Sequence, residues 1–362
     1  MPGEHPATAW LRLTLTPGLG PAVQRQLLAA FGPPEAVYAV SYSALASVVG
    51  GPAARLLLEH DASDAVARAL AWLDEPDNTL LTLADAAYPP NLLEIPDPPV
   101  CLYVKGDVAL LKRQGVAVVG ARSATPQGEA NAEAFAAVLS RAGLVVVSGL
   151  ALGIDAAAHR GGLAGEGRTV AVIGTGADRI YPARNGELAR RIAAEGAIVS
   201  EFPLGTGPLT HNFPRRNRLI AGLARGVLVV EAAVKSGSLI TARLAADCGR
   251  EVFAIPGSIH SPLAKGCHRL IRDGAKLVEC ADDILEELAL TAPEAAPVLD
   301  ETMPEAVGDE AAVLQAAGHD PVDIDTLVHR TSLTPEALYA ILLTLELEGR
   351  VARLPGGRFQ RL

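Results

Sequence analysis

Short apolar runs and amphipathic stretches alternate through the middle of the chain, from residue 114 to about residue 290. The runs are four or five residues long and rich in β-branched side chains, which is typical of strands buried on both faces. The predicted strands are Val116–Val119, Leu144–Val147, Thr169–Ile173, Ala197–Ser200, Val227–Val230 and Val252–Ile255. Because helical stretches separate them, we expect a multidomain α/β protein whose central domain, 114–290, is a doubly wound, mainly parallel sheet.

The first 75 residues have helical spacing of apolar positions, interrupted by two glycine-proline turns. The turns lie at Thr16–Pro21 and at Val49–Pro52. The pattern of two helices joined by a short turn occurs twice. This arrangement is similar to a helix-hairpin-helix or sterile-alpha-motif-like domain. Arg12 and Arg25 are the only bases near the first turn, so we expect the turns to reverse the chain, with phosphate contact by their amides as the alternative.

A proline-rich connector, 76–113, follows this helical domain. Its prolines fix an extended path along a neighbouring surface, and Val100–Val104 has the composition of a strand. We expect the connector to pack on the central domain, and we assign no chemistry to it.

The C-terminal part consists of an acidic linker, 291–310, and a small domain, 311–362. Three helical stretches and a hairpin, 351–362, are typical of a winged helix. The third helix, Thr334–Glu348, carries glutamates and no base, whereas a major-groove reader presents Arg, Lys, Asn or Gln. This composition favours a protein-contact or autoregulatory module, with weak phosphate contact by the arginines of the hairpin left open.

The net charge of −10 is unevenly distributed. Residues 277–329 hold 14 acidic residues and no Lys or Arg, which leaves 31 basic against 27 acidic residues elsewhere. Between Glu201 and Glu231 there is no acid, and four arginines fall in that interval. Local charge decides where a polyanion binds, so the overall acidity does not exclude nucleic acid.

The location of the protein is indicated by its apolar runs and its cysteines. No uninterrupted apolar run is long enough to span a membrane, and the first ten residues lack the layout of a secretion signal. The four cysteines are far apart and form no metal-binding pair. We expect a cytoplasmic protein with free thiols and no membrane partner.

The candidate site lies where the strands of the sheet end, because ligands of parallel sheets bind beyond the carboxyl ends of the strands. The segment Phe213–Arg218 begins a helix with three arginines, and Lys235–Ser238 begins another. Guanidinium groups and helix N-termini both bind phosphate. Phe213 can stack on a base, or alternatively can pack against its own helix.

Two carboxylates at this edge raise the question of catalysis. Asp155 follows Gly153 at a helix start, where an acid usually caps or complements the helix dipole. We interpret Glu231 as orienting Arg216 or Arg218. We therefore predict no catalytic residue.

Cofactor and metal motifs are missing from the sequence. No G-x-G-x-x-G follows the first strand, and there is no Walker A loop. His159 and His211 lie nearest the edge of the sheet but have no further ligands at metal spacing. We predict neither a cofactor nor a metal.

Several motifs occur together in a characteristic order. They are Gly120-Ala121-Arg122-Ser123, Ser148 to Asp155 with His159, Tyr181-Pro182-Ala183-Arg184-Asn185, Phe213 to Arg218, Lys235-Ser236-Gly237-Ser238 and Ile255-Pro256-Gly257. In order and spacing the chain closely resembles the DNA processing protein A family (DprA, also called Smf), over essentially its whole length. The resemblance implies a Rossmann-like central domain between an N-terminal helical domain and a C-terminal winged helix.

The resemblance also implies a function and a set of site residues. Family members bind single-stranded DNA in natural transformation (competence), protect it and load the RecA recombinase onto it, as homodimers and without enzymatic activity. The single-strand-binding protein is a further expected partner. The implied DNA-binding residues are Arg122, Ser123, Gly149, Phe213, Arg216, Asn217, Arg218, Lys235, Ser236, Gly237 and Ser238. Apolar residues crowd the last edge of the sheet, so we place the dimer contact at His268, Leu270, Ile271 and Leu277.

Two alternatives remain open. The sheet is similar to that of nucleoside-monophosphate phosphoribohydrolases, but Lys235–Thr241, which corresponds to their phosphate loop, offers no acid. The second alternative is recognition of duplex DNA through the winged helix.

Overall fold

The computed structural model describes residues 5–289 and 308–362. Two sheets organise these residues, a large one in the first range and a small one in the second. The predicted linker, 291–310, lies almost entirely outside the described residues.

The N-terminal residues form a helical unit. Its helices are α1 (Thr8–Leu15), α2 (Pro21–Phe31), α3 (Pro34–Ala39), α4 (Tyr42–Val49), α5 (Gly51–Glu59) and α6 (Ser63–Leu73). Proline stands in the first turn of α2, α3 and α5, where its missing N–H costs nothing. The predicted turns separate α1 from α2 and α4 from α5. The inner face of this unit packs on the central sheet, where Leu11 and Trp72 join Tyr103 in one buried cluster.

The large sheet is doubly wound, as predicted. Its strands are β1 (Asn78–Thr82), β2 (Cys101–Gly106), β3 (Gly115–Val119), β4 (Val145–Ser148), β5 (Thr169–Val172), β6 (Ala197–Ser200), β7 (Gly226–Val229), β8 (Glu251–Ala254) and β9 (Lys276–Leu277). The spatial order is β1-β2-β6-β5-β4-β3-β7-β8-β9. From β6 to β9 all neighbours are parallel. The chain leaves β3 in one direction and returns to its other side at β7, which creates a switch point between these two strands.

Helices cover both faces of this sheet. They are α7 (Pro90–Leu93), α8 (Pro126–Arg141), α9 (Ile154–Leu163), α10 (Gly186–Glu195), α11 (Asn212–Leu223), α12 (Ser238–Asp247), α13 (Lys265–Arg272) and α14 (Asp282–Glu287). Alternate residues of each strand enter different cores: Ala117 and Val119 pack towards α11 and α12, and Val116 and Val118 pack towards α8 and α9.

The connector contributes more to the sheet than the sequence indicated. β2 pairs antiparallel with β6, and β1, which was not predicted, pairs antiparallel with β2. Leu92 and Ile95 then pack on α11 at Gly222, where a side chain would collide with both. The connector therefore forms one edge of the sheet and buttresses the helix that carries the arginine cluster.

The C-terminal residues form the predicted winged helix. Its elements are α15 (Asp309–Ala317), β10 (Val322–Asp323), α16 (Ile324–Thr331), α17 (Pro335–Leu347), β11 (Val351–Leu354) and β12 (Arg358–Arg361). Thr334 caps α17 by accepting a hydrogen bond from the N–H of Ala337. The hairpin of β11 and β12 turns at Gly356 and Gly357, both at positive φ.

Candidate functional site

A cleft of about 560 Å³ opens at the carboxyl ends of the strands around the switch point. We call it the switch-point cleft. The structure brings seven of the predicted DNA-binding residues to its lining. They are Arg122, Phe213, Arg216, Asn217, Ser236, Gly237 and Ser238. Loops after β3 and β7 and the N-terminal turns of α11 and α12 supply them.

Arg122 lies in the exposed turn after β3, next to the exposed Ser123. Its guanidinium carbon is 5.6 Å from the centre of the Phe213 ring. Phe213 itself rests on Gly174, where an added Cβ would stand 2.9 Å from the ring. The arginine and the ring therefore form one surface that combines positive charge with an aromatic face.

Tyr181 adds a second aromatic ring that the sequence analysis did not place in the site. Its ring centre is 5.7 Å from that of Phe213, and 45% of the residue is exposed. The loop that carries Tyr181 is held in place by Asn185, whose side-chain amide donates a hydrogen bond to the carbonyl oxygen of Leu150 over 2.9 Å. Its motif, Tyr181 to Asn185, was already visible in the sequence, but its proximity to Phe213 was not.

Arg216 occupies the floor of the cleft and is only 4% exposed. Its guanidinium donates to the carbonyl oxygens of Gly149, over 2.8 Å, and of Val172. Arg216 lines the cleft as a buried guanidinium, and its predicted contact with DNA stays a prediction. Arg216 braces the ends of β4 and β5, and Gly149, another predicted contact, provides the space for it.

Asp155 balances this buried charge. Its carboxylate accepts hydrogen bonds from the backbone N–H groups of Gly149, over 3.1 Å, and of Ala151. Burial raises the pKa of Asp155, and the Arg216 charge opposes that shift. Burial lowers the pKa of Arg216 to about 10, so its guanidinium stays protonated at neutral pH. Asp155 thus acts as a loop-binding counterion at the start of α9.

His159 is a structural residue of the same loop. Its Nε2 accepts a hydrogen bond from the N–H of Leu150 over 3.2 Å, and its Nδ1 lies 2.7 Å from the Thr169 hydroxyl. That hydroxyl donates to the carbonyl oxygen of Val146, so Nδ1 must carry a proton and donate to it. Burial and the Arg216 charge lower the pKa of His159 to about 3, so the ring is neutral.

Arg218 does not reach the cleft. Its side chain is 13% exposed and lies on another face of α11, where its guanidinium is 2.5 Å from Glu201 and 3.4 Å from Asp97. Arg215 also contacts Glu201, at 3.4 Å. Arg218 is thus paired with two carboxylates distant in sequence and lies outside the lining of the cleft, and its predicted contact with DNA stays a prediction.

Glu231 orients neither arginine, contrary to our interpretation. Its carboxylate accepts hydrogen bonds from the N–H of Thr125, over 2.9 Å, and from the Thr125 hydroxyl, over 2.7 Å. The same hydroxyl accepts from the N–H of Gly128 and so caps α8. Glu231 therefore fixes the turn that carries Arg122.

The loop before α12 forms the wall opposite Arg122. The hydroxyls of Ser236 and Ser238 are 2.7 Å apart, and the side-chain amide of Asn217 contacts the carbonyl oxygen of Gly237 at 3.4 Å. Lys235 is exposed beside the cleft, outside its lining. Among the residues that the structure describes, no carboxylate forms an ion pair with Arg122 or Lys235, in contrast to Arg215 and Arg218.

A separate groove of about 570 Å³ follows the last edge of the sheet. Three of the residues predicted for a dimer contact line it. They are His268, Ile271 and Leu277. Leu277 is 44% exposed, and the groove also includes Val234. Leu270 is outside this lining and packs partly on the core of the sheet.

The described ranges contain neither a candidate metal site nor a candidate membrane span. Within residues 5–289 and 308–362, His, Cys, Asp and Glu side chains form no group of three suited to a metal ion. In the same ranges, none of the helices combines the length and apolarity that a membrane crossing requires.

Comparison with known proteins gives consistent matches. The family model for DNA recombination-mediator protein A matches residues 79–289, and the model for the DprA winged helix domain matches residues 300–357. Protein Smf of Escherichia coli is 41% identical over 295 residues, which cover 80% of this chain and 79% of that protein. DNA processing protein DprA of Streptococcus pneumoniae is 50% identical over 206 residues, 57% of this chain and 73% of that one.

Two solved structures are similar in sequence and in fold. The crystal structure of DprA from Streptococcus pneumoniae aligns with a TM-score of 0.70 at 39% identity, covering 77% of this chain and 97% of that one. The second is the structure of DNA processing protein A from Helicobacter pylori, which was described for the single-stranded DNA binding mode of that protein. It aligns with a TM-score of 0.54 at 31% identity. It covers 58% of this chain and 96% of that one.

Proposed function

Because this chain belongs to the DprA/Smf family of DNA recombination mediators, we propose that its switch-point cleft binds single-stranded DNA. The observation that carries the proposal is the pairing of Arg122 with the Phe213 ring, which in turn lies beside the Tyr181 ring. Sequence-independent binding of single strands requires a cation at the phosphate backbone and aromatic faces on which unstacked bases can stack. Arg216 lies on the floor of the same cleft, with Asp155 as its counterion.

Photochemical cross-linking tests this placement. Single-stranded oligonucleotides containing 5-iodouracil are bound, irradiated and digested, and the cross-linked residue is identified by mass spectrometry. We expect cross-links at Tyr181 or Phe213, since iodouracil reacts with aromatic rings in contact with it. Cross-links confined to residues 311–362 would contradict the proposal.

The alternative phosphoribohydrolase activity needs a carboxylate free to act on a nucleotide. In the switch-point cleft, Asp155 accepts two backbone hydrogen bonds, and Glu231, behind the Arg122 turn, accepts two from Thr125. Both carboxylates are thus engaged in holding loops, which favours a binding protein over an enzyme. Incubation with nucleoside monophosphates should release no free base.

A role as reader of duplex DNA is also disfavoured. Helix α17 has no lysine or arginine, and its exposed face carries Glu336 and Glu346 together with Leu343 and Leu347. This surface suits contact with protein better than with a major groove.

We propose that the biological role of this binding is natural transformation in the cytoplasm. The protein protects incoming single strands and loads RecA recombinase onto them. The single-strand-binding protein is then the competitor that must be displaced. The test is strand exchange by RecA on DNA coated with single-strand-binding protein, with and without this chain. Stimulation supports the proposal, and its absence would contradict it.

We also propose a homodimer through the groove at the sheet edge. The exposed Leu277 and Val234 supply apolar area for the contact. A dimer would place two clefts on one DNA strand, so that binding at one cleft raises the effective concentration of the strand at the other cleft. Leu277→Arg should convert a two-chain mass to a one-chain mass in light scattering. A mass unaffected by this change would place the contact elsewhere.

A further inference from the structure

An apolar row runs along the exposed side of α17 in the winged helix. Tyr339, Leu343 and Leu347 are 50%, 58% and 83% exposed, although each has a large apolar side chain. They are four residues apart, so they follow one another along one face of the helix. We call these three residues the α17 stripe. Single exposed apolar residues are ordinary on a protein surface, whereas a contiguous apolar row marks an interaction surface.

The α17 stripe is a fixed feature of a well-packed helix. The opposite face of α17 enters the core of the winged helix through Leu338, Leu342 and Leu345. The Tyr339 ring stands edge-on to that of Phe359 in β12, with 6.4 Å between the ring centres. The stripe is therefore an outer surface of the folded domain, separate from its core.

The dimensions of the stripe indicate the shape of its partner. A helix rises about 1.5 Å and turns about 100° per residue, so the stripe is about 12 Å long and about 80° wide. A helix face that packs on a whole domain is about 100° wide or more, whereas a narrower seam suits one partner helix. Side chains at i, i+4 and i+8 also form a ridge that packs into the groove of another helix. The stripe thus fits one helix of two turns or more.

Acidic side chains border the stripe and indicate the charge of its partner. Glu336 stands in line with the stripe before Tyr339, and Glu346 stands beside its C-terminal end, both of them exposed. Within the ranges that the structure describes, neither glutamate forms an ion pair, whereas Glu348 lies 3.7 Å from Arg350. No lysine or arginine occurs in α17. Charge complementarity therefore requires lysine or arginine in the partner.

The same glutamates disfavour three other occupants. They repel the phosphates of a nucleic acid. Two α17 helices from two copies would bring Glu346 against Glu346 when parallel, and Glu336 towards the end that carries Glu346 when antiparallel. Helices that lie in a membrane surface carry lysine and arginine on their polar face, and α17 carries glutamate there.

We propose that the α17 stripe binds a protein partner through an amphipathic helix with apolar residues four positions apart and lysine or arginine on either side of them. The apolar side chains pack along Tyr339, Leu343 and Leu347, and the cations approach Glu336 and Glu346. This surface is a second site of the chain, and it does not depend on DNA binding in the switch-point cleft.

The experiment is a fluorescence anisotropy titration of a labelled peptide with the full chain. The probe is an alanine-rich peptide of about 15 residues, long enough to form a helix, with leucines at i, i+4 and i+8 and flanking lysines. A scrambled peptide has the same composition and charge but no apolar row. We expect saturable binding of the probe and about tenfold weaker binding of the scrambled peptide, which cannot bury its leucines together.

Variants of the chain locate the contact. Leu343→Ser removes the centre of the stripe and leaves every charge in place, so it should weaken binding of the probe about tenfold. Leu58→Ser makes the same change at a 42% exposed position of α5 and should have no effect. Glu346→Gln should weaken binding at low salt and make it less sensitive to added salt, because one attractive charge is lost.

Three results would overturn the proposal. The first is equal binding of the probe and the scrambled peptide, which would show attraction by charge alone. The second is probe binding that Leu343→Ser leaves unchanged in a variant with wild-type melting. The third is a two-chain mass in light scattering that Leu343→Ser converts to a one-chain mass, which would assign the stripe to a second copy.

Discussion

The guanidinium of Arg216 fills the space that a side chain at Gly149 would need. A Cβ built on Gly149 would stand 2.7 Å from the guanidinium carbon, and the Gly149 carbonyl oxygen accepts a hydrogen bond from the same group. The glycine and the arginine are 67 residues apart in sequence, yet each determines what the other position can hold. The floor of the switch-point cleft is therefore a buried guanidinium, held by backbone carbonyl oxygens at the ends of β4 and β5.

Replacing Gly149 with alanine tests this relationship. We expect a loss of about 1–3 kcal/mol in the free energy of unfolding, because the methyl group forces the buried guanidinium from its place. Denaturant unfolding measures the change. Gly186→Ala is the matched control, since Gly186 begins α10 at φ −61° with nothing near its Cβ, and it should be neutral or slightly stabilising. Equal effects of the two changes would contradict the account.

Arg122→Ala should weaken binding of single strands to the same extent for all base sequences. The lost cation reduces counterion release, so the slope of log affinity against log salt should fall by about one. Fluorescence anisotropy at several ionic strengths measures both quantities. Arg243→Ala removes the same charge from the exposed side of α12 and should change neither. A loss restricted to certain sequences would argue against recognition led by phosphate.

The two rings of the cleft should contribute by stacking. Tyr181→Ala is expected to cost about 1–3 kcal/mol of binding free energy, the usual value for one stacked base. Tyr181→Phe keeps the ring and should bind as the wild type does. Isothermal titration calorimetry with a short oligothymidine distinguishes these outcomes. If the phenylalanine variant lost as much as the alanine variant, the hydroxyl and not the ring would be the contact.

The neutral state of His159 should make stability depend on pH. Its folded pKa, about 3, lies below the ordinary value of 6.5, so the unfolded chain binds a proton first as the pH falls. Above pH 6.5 His159 does not lower the free energy of unfolding. Below that pH the free energy of unfolding falls by about 1.4 kcal/mol per pH unit. Denaturant midpoints between pH 7 and 5 measure it. His159→Gln should remove this slope, and an unchanged slope would assign it to other groups.

The sequence predicted the regular elements well because their signals are local. The central parallel strands agree with their predicted positions to within one residue, and α17 and its hairpin lie where capping and turn residues placed them. β1 was missed because its apolar pair, Leu80 and Leu81, is short and stands at the sheet edge beside a proline-rich segment.

The arrangement of the site could be predicted only in part. A helix turns about 100° per residue, so adjacent arginines of α11 enter different environments. Arg218 met Glu201 and Asp97, and Arg216 was buried under Gly149, through contacts that no local pattern reveals. Tyr181 joined the cleft because its loop meets Phe213, 32 positions further along the chain. Charge density along the sequence located the helix correctly, but not the face of it that each arginine occupies.

The most direct test of the account is a parallel titration of single- and double-stranded oligonucleotides of equal length over a range of salt concentrations. Binding through Arg122 and the two aromatic rings requires unstacked bases, so the account predicts tighter binding of the single strand at every salt concentration and a steep salt dependence. Arg122→Ala should reduce the single-strand affinity in the same titration. Equal affinity for the duplex, lost on removal of residues 311–362 and indifferent to Arg122→Ala, would contradict the account.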